Sequence, residues 1–388
     1  MGRVRLRDLP GALRSGPALP HPSVGVTETM GFNLDLDDRA RFAALDRDHM
    51  LAHIDAFPDQ LAAAWVAAQT MPLPDTHRRP RQIVLAGMGG SAIGGDLTGA
   101  LIAASSAVPW TVVRGYDLPA YVQGPETLVI ASSFSGNTEE TLAAAGQALG
   151  RGAKLLAVTT GGQLAAHAAA HDYPLWRIAY ASQPRAALGW SWGLLLGLVH
   201  RLGLIATLEA NVQEAIAVLR EHVSIYTASS PIPQNPAKRG AGQVMGRVPV
   251  FFGGGLFEPV VRRWKCQVNE NAKAWAEFEA MPEANHNAIA GIGFPDEHML
   301  DIAAVFIISR QHDHPRVALR QELTFQLCLQ NGIMTDTFRP QGQSALAQMC
   351  HAIQYGDYVS YYLAMAYGAD PTEIAPIIEL KDLLAARS

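Results

Sequence analysis

Short apolar runs and longer amphipathic stretches alternate along this chain. Ile83-Val84-Leu85-Ala86, Leu128-Val129-Ile130-Ala131 and Lys154 to Val158 are runs of strand length with few polar interruptions. That is the pattern of strands buried on both faces. Trp110 to Val113 and Tyr173 to Ile178 add two shorter strands. Stretches of helical length separate them, at 91–104, 138–149 and 163–170, and 185–203 closes the series. Ahead of the first strand, Asp46 to Gln69 carries Met50, Leu51, Ile54, Leu61 and Trp65 and reads as a helix broken at Pro58. Alternating strands and helices predict a parallel sheet with helices on both faces.

The same grammar returns after a turn-rich stretch, Ser229 to Pro236. Val248 to Phe252 reads as a strand, Gly253-Gly254-Gly255 as a turn and Leu256 to Trp275 as a helix. Ala303 to Ile308 and Ile333 to Phe338 are further strands, each followed by a helix, 315–330 and 344–367. The chain therefore reads as two α/β halves related by duplication, 36–228 and 229–388. Residues 1–35, with Pro10, Pro17, Pro20 and Pro22, read as an irregular leader, and Met30 as an alternative start.

Two turns carry the first chemical signal. Gly87-Met88-Gly89-Gly90-Ser91 follows the strand at 82–86, and Ser132 to Thr138 follows the strand at 127–131. Each opens a helix. Backbone N–H groups at a helix N-terminus, with hydroxyls around them, suit a phosphate. The first turn also resembles a dinucleotide fingerprint. Arg114 stands where that reading wants an acid, which weakens it without removing it, since an Arg suits a phosphorylated ribose. Ser133, Ser135 and Thr138 around one Gly-Asn pair favour a phosphate monoester. The later turn at Gly253 to Gly255 has no hydroxyls and reads as structural.

Composition narrows the field. A chain of 388 residues accommodates two cores, and a net charge of −5 leaves no basic footprint for nucleic acid. No apolar stretch is long enough to span a membrane, and the Arg-rich start has no secretory apolar region. Cys266, Cys328 and Cys350 are scattered with no CxxC pair, which suits a reducing cytoplasm. Glu270 lies off the apolar stripe of Val260, Val261, Trp264 and Val268 on its helix, and His286 lies in a loop between two Asn residues. Taken singly, each is an ordinary surface residue. His312-Asp313-His314 follows a strand and precedes Pro315, so it reads as a solvated loop rather than a metal site. Lys238-Arg239 reads as a surface pair.

In order along the chain stand Gly89-Gly90-Ser91, Ser133-Phe134-Ser135-Gly136-Asn137-Thr138, Pro184-Arg185-Ala186-Ala187-Leu188-Gly189, Asn269-Glu270-Asn271-Ala272-Lys273 and Asn285-His286-Asn287. This series resembles the bifunctional phosphoglucose/phosphomannose isomerases of the sugar isomerase (SIS) class, from about residue 35 to the end. The resemblance implies two SIS-type subdomains of flavodoxin-like, doubly wound fold. It implies a homodimer with shared active sites, and no metal or other cofactor. Gly90, Ser91, Ser133, Ser135 and Thr138 match positions that hold the sugar phosphate. Arg185 matches an Arg facing the reacting carbons, and Glu270 the base that moves a proton between C1 and C2. His286 matches a ring-opening His supplied by the partner subunit, and Lys381 a Lys that also works in ring opening. Phe134 and Trp190 replace Tyr residues common among relatives.

The implied chemistry suits these residue types. One carboxylate above a planar cis-enediolate takes a proton from one carbon and returns it to the next. Arg stabilises the enediolate oxygen, and His exchanges protons near neutral pH. A non-catalytic sugar-phosphate sensor needs the hydroxyl turn without Glu270, His286 and Arg185 together. Another SIS sugar-phosphate isomerase is the second rival, and the paired Asn-Glu-Asn-Ala-Lys and Asn-His-Asn motifs speak against it.

Overall fold

The computed structural model describes residues 35–206 and 208–387. The leader read at 1–35 therefore lies, apart from Asp35, outside the described residues. Strands β1 (Gln82–Gly87), β2 (Trp110–Val113), β3 (Thr127–Ser132), β4 (Lys154–Thr159) and β5 (Leu175–Arg177) form one sheet in the order β2-β1-β3-β4-β5. Strands β6 (Val248–Gly254), β7 (Glu277–Met281), β8 (Ile302–Ile307) and β9 (Met334–Phe338) form a second in the order β7-β6-β8-β9. Every pairing is parallel. The second sheet thus repeats the first four positions of the flavodoxin-like order.

Helices α1 (Arg39–Leu45), α2 (Met50–Asp55) and α3 (Phe57–Thr70) precede the first sheet. Its connections and return are α4 (Gly89–Ile102), α5 (Glu139–Gly150), α6 (Gly162–Ala170) and α7 (Leu188–Arg201). Helices α8 (Leu208–Tyr226) and α9 (Pro236–Val244) lead to the second sheet, which carries α10 (Glu258–Ala272), α11 (Pro315–Gln330), α12 (Ala345–Tyr367) and α13 (Ala375–Ala385).

The unbroken apolar runs have a direct structural counterpart. Ile83, Leu85, Leu128 and Ile130 pack on one face of the first sheet with α3 and α7. Val84, Ala86, Val129 and Ala131, one residue out of phase, pack on the other face with α5 and α6. Both faces are covered, so the central positions of β1, β3 and β4 are apolar. Helices α3 and α7 cross closely because α7 presents glycine to the contact: a Cβ on Gly193 or Gly197 would lie 2.7 or 2.2 Å from the Cβ of Ala64 or Ala68. The largest core gathers α8, α9, α10 and α12 with Phe251, Val305 and Ile307 of the second sheet, and so joins the two halves.

The structure departs from the pattern reading in four places. The helix read as Leu256 to Trp275 ends at Ala272, where Lys273 takes a left-handed conformation (φ 55°), and the chain turns into β7. β7 is an edge strand with half-buried Glu277 and Glu279, so its apolar signal is weak. The turn-rich stretch ending at Pro236 leads straight into α9: the Asn235 side chain accepts from the N–H groups of Ala237 and Lys238, and Pro236 sits in the first turn. Lys238 is no surface residue. Its ammonium donates to Asp37 Oδ1 (2.7 Å) and the Ala228 carbonyl (2.9 Å) and lies over the Phe42 and Tyr362 rings. Finally, the expected helix from 185 starts at Leu188, preceded by a 3-10 turn at Pro184–Ala186 that holds Arg185.

Candidate active site

The site assembles where the C-terminal ends of β1 and β3 meet the N-terminal ends of α4 and α5. Met88 is the N-cap of α4 and Thr138 that of α5, and neither makes a side-chain cap bond. No cap side chain therefore occupies the first-turn N–H groups of Gly89 and Gly90 or those of α5, an arrangement that suits an anion, while Ser91 N–H is taken by the Met88 carbonyl (3.0 Å). Ser91 stitches the turns together: its Oγ accepts from Phe134 N–H (3.1 Å), and Ser132 Oγ donates to its carbonyl (3.4 Å). Ser133 is buried and builds the second turn; its Oγ accepts from Gly136 N–H (3.0 Å) and lies 2.8 Å from Thr138 Oγ1. Ser135 Oγ accepts from Asn137 N–H (3.2 Å) on the exposed rim.

Gly136 is required by this turn twice over. Its φ is +71°, and a Cβ there would sit 1.9 Å from the Gly161 carbonyl oxygen. Asn137 works on the neighbouring helix, where its Oδ1 accepts from Gln163 N–H (3.0 Å). Thr160 Oγ1 donates to the Phe134 carbonyl (2.7 Å), so the second turn is braced from β4 as well.

Arg185 is buried and almost fully committed. Nε donates to Asn271 Oδ1 (2.7 Å), and Nη2 to the carbonyls of Pro371 (2.7 Å) and Thr372 (2.8 Å). Nη1 faces Glu270 Oε2 at 3.5 Å. Burial pulls the guanidinium pKa down, and Glu270 opposes the shift. Glu270 itself is part-exposed, and its cleft is lined by Gly89, Gly90, Arg114, Arg185 and Arg263. The main chain at Gly90 passes so close to Pro184 that a Cβ there would lie 3.1 Å from the Pro184 carbonyl oxygen. The first glycine turn and the Glu270–Arg185 pair therefore share one cleft. Arg114, at the end of β2, is bound to Asp96 of α4 through both terminal nitrogens.

His286 and Lys381 stand apart from this cluster. His286 ends an exposed 3-10 turn, Glu283–His286, beyond β7. Its flanking Asn residues anchor that turn: Asn285 donates to Thr324 Oγ1 (2.8 Å) and Asn287 to Glu283 Oε1 (3.1 Å). Lys381 lies on α13, which has no buried residue. Among the described residues, no hydrogen bond or ion pair links either side chain to Glu270 or Arg185. The His312-Asp313-His314 segment is a turn with His314 exposed and Asp313 half-buried. His312 Nε2 pairs with the Gln343 carbonyl (2.9 Å), Asp313 Oδ2 accepts from Ser309 N–H (2.9 Å) and His314 Nδ1 accepts from Arg316 N–H (3.1 Å).

Several working residues escaped the sequence reading. Lys273 donates from Nζ to the carbonyls of Glu270 (2.9 Å) and Asn271 (3.2 Å) and to that of Asp370, tying the end of α10 to the segment that clamps Arg185. Burial lowers its ammonium to about 8, and the neighbouring Arg185 adds to the shift. Arg263 and Asp357 form a buried ion pair behind Arg185. A lone carboxylate in the stretch 345–367, which has no Lys, Arg or other acid, was the available signal, since a buried charge requires a partner.

Comparisons with known proteins bear on the family and the fold. The bacterial phospho-glucose isomerase C-terminal SIS domain model matches residues 233–384. A bifunctional phosphoglucose/phosphomannose isomerase of Caldicellulosiruptor bescii is 38% identical over 339 residues, covering 87% of this chain and 99% of the relative. Its namesake in Aquifex aeolicus is 32% identical over 303 residues, covering 78% and 90%. The C-terminal domain of glucosamine-fructose-6-phosphate aminotransferase from Francisella tularensis shares the fold, with a TM-score of 0.65 over 84% of this chain and 98% of that one, at 13% identity.

Proposed function

The chain belongs to the family of bifunctional phosphoglucose/phosphomannose isomerases, and from that premise we propose that it interconverts glucose 6-phosphate, mannose 6-phosphate and fructose 6-phosphate through a cis-enediolate. The observation that carries this reading is the part-exposed Glu270 carboxylate facing a buried, fixed Arg185 guanidinium at 3.5 Å, in a cleft that also contains Gly89 and Gly90. A phosphate on the α4 and α5 termini, with Ser135 and Thr138 at the rim, anchors the far end of the substrate and presents C1 and C2 to Glu270. Glu270 takes the C2 proton of the open aldose, and the electron pair forms the C1–C2 double bond as O1 becomes anionic. The O2 proton passes to O1, and Glu270 returns its proton to C1 as O2 becomes the carbonyl. Arg185 offsets the oxyanion throughout, and its buried setting strengthens that interaction.

The route needs no metal and no cofactor. His286 enters from the partner subunit of a homodimer and, with Lys381, moves the proton from O1 to the ring oxygen as the C1–O5 bond opens. Their exposed positions, together with exposed Ile377, Ile378 and Leu380 on α13, support an assembly in which a second copy covers these elements. A cytoplasmic setting is supported by three cysteines free of disulfides, and none of the described helices is long and apolar enough to cross a membrane. Purified, chelator-treated protein should convert fructose 6-phosphate to both aldose phosphates in a coupled assay. Activity that disappears on chelation and returns with zinc would refute the metal-free route; activity on neither aldose would refute the isomerase reading.

A further inference from the structure

Helix α12 is buried along nearly its whole length, and Asp357 sits in its middle. Its carboxylate accepts from Arg263 through Nε (3.1 Å) and Nη2 (2.6 Å), and from Gln267 Nε2 (3.0 Å). The same Arg263 Nη2 donates to the main-chain carbonyl of Arg185 (2.9 Å). A second path starts one turn later. Ser360 Oγ donates to the Asp357 carbonyl (2.7 Å) and accepts from Asn271 Nδ2 (2.9 Å), while Asn271 Oδ1 accepts from Arg185 Nε. One path ends on the backbone of Arg185 and the other on its guanidinium. The first begins at the Asp357 carboxylate and the second at its main-chain carbonyl, which does not depend on the side chain.

A buried ion pair is weak support for stability alone, because apolar groups of the same volume serve as well. What this pair supplies is orientation. With Nε and Nη2 held and the backbone fixed, Nη1 is the nitrogen that Arg185 turns toward Glu270. We propose that the Asp357 carboxylate is a positioning group for the isomerisation, acting through Arg263 on the Arg185 main chain to hold Arg185 against the reacting carbons. The inference rests on the isomerase reading of the cleft.

The test combines kinetics with a structure. Asp357→Asn keeps shape and one acceptor but releases the bidentate pair. Its kcat per folded site should fall roughly 10-fold or more while KM for fructose 6-phosphate stays within about threefold, as expected when a reacting group is displaced and the phosphate grip is intact. A merely structural role would lower the melting temperature and leave kcat per folded site unchanged. Combined with Arg185→Lys, the Asp357→Asn loss should vanish to within about threefold, because both changes act on one group; multiplying losses would overturn the proposal. The crystal structure of Asp357→Asn should show the Arg185 guanidinium displaced from Glu270, and an unmoved Arg185 would overturn it even if no hexose phosphate were a substrate. Should that variant fail to fold, Arg263→Lys breaks the same bidentate pair from the other side and should show the same kcat-only loss, with an unchanged kcat counting against the proposal.

Discussion

The two halves share a sheet order and part company at one turn. Met88 and Gly254 have nearly the same backbone angles (φ −126° and −132°), and each is followed by a left-handed glycine, Gly89 (φ +47°) and Gly255 (φ +54°). The second turns differ. After β3, the hydroxyl turn opens onto α5, whose N-cap residue Thr138 makes no cap bond. After β8, His314 caps α11 with its own ring, Asp313 takes the Ser309 N–H, and Ser309 Oγ donates to Gln348 (2.7 Å). A helix end that binds its own side chains has little left for an anion. On the proposed reading the first half supplies the grip together with Arg185. The second supplies Glu270, from a helix directly after its silent glycine turn. On that reading the phosphate grip and the proton-moving carboxylate lie in different halves.

That division predicts opposite kinetic signatures. The largest effect belongs to the reacting half. Glu270→Gln keeps the shape but cannot accept a proton, so kcat should fall on the order of 10²–10⁴-fold with KM nearly unchanged. Exchange of the C2 hydrogen of glucose 6-phosphate with solvent should cease. A variant that exchanges normally but binds poorly would place Glu270 in the grip and break the comparison.

The next effect belongs to the holding half. Ser135→Ala and Thr138→Val each remove a hydroxyl from the rim of the uncapped α5 terminus. Each should raise KM by the equivalent of about 1–3 kcal/mol, the worth of a hydrogen bond to a charged group, with kcat largely kept. Steady-state kinetics on fructose 6-phosphate separates the two. A fall in kcat at constant KM would show that the turn takes part in the chemistry.

Much of this division was legible before any coordinates. Strands buried on both faces advertise themselves as unbroken apolar runs, and the hydroxyl turn carries its chemistry in its residue types. Edge strand β7 did not show, because two of its five positions are Glu and it follows a helix without an intervening Gly or Pro. α9 was hidden by its own cap: Asn235-Pro236 looks like a turn until the helix behind it is seen. Glu270 and Arg185 were singled out by resemblance, and only the fold brings them together from 85 residues apart. The network behind them is tertiary throughout. Asp357 meets Arg263 across 94 residues of chain, and no local pattern specifies such a pairing.

The smallest predicted effect tests whether the second turn is closed by its own side chain or merely idle. Burial raises the Asp313 carboxyl to about 6, against an ordinary value near 3.8, and the hydrogen bond from Ser309 N–H only partly opposes the shift. Below about pH 4 the carboxyl is protonated in both folded and unfolded chains. Between about 4 and 6 the unfolded chain has released the proton while the folded one still holds it, so stability falls as pH rises through that window. Above 6 the folded protein carries the full penalty of a half-buried charge. Asp313→Asn retains an acceptor for Ser309 N–H and carries no charge. It should flatten this part of the pH profile and raise the melting temperature above pH 6 by roughly 1–3 °C. It should leave KM for fructose 6-phosphate within about twofold, because no phosphate docks on α11. Thermal melts from pH 4 to 7, paired with kinetics at pH 7, decide the matter. A marked rise in KM would mean that both turns touch the substrate, and the division between holding and reacting halves would have to be redrawn.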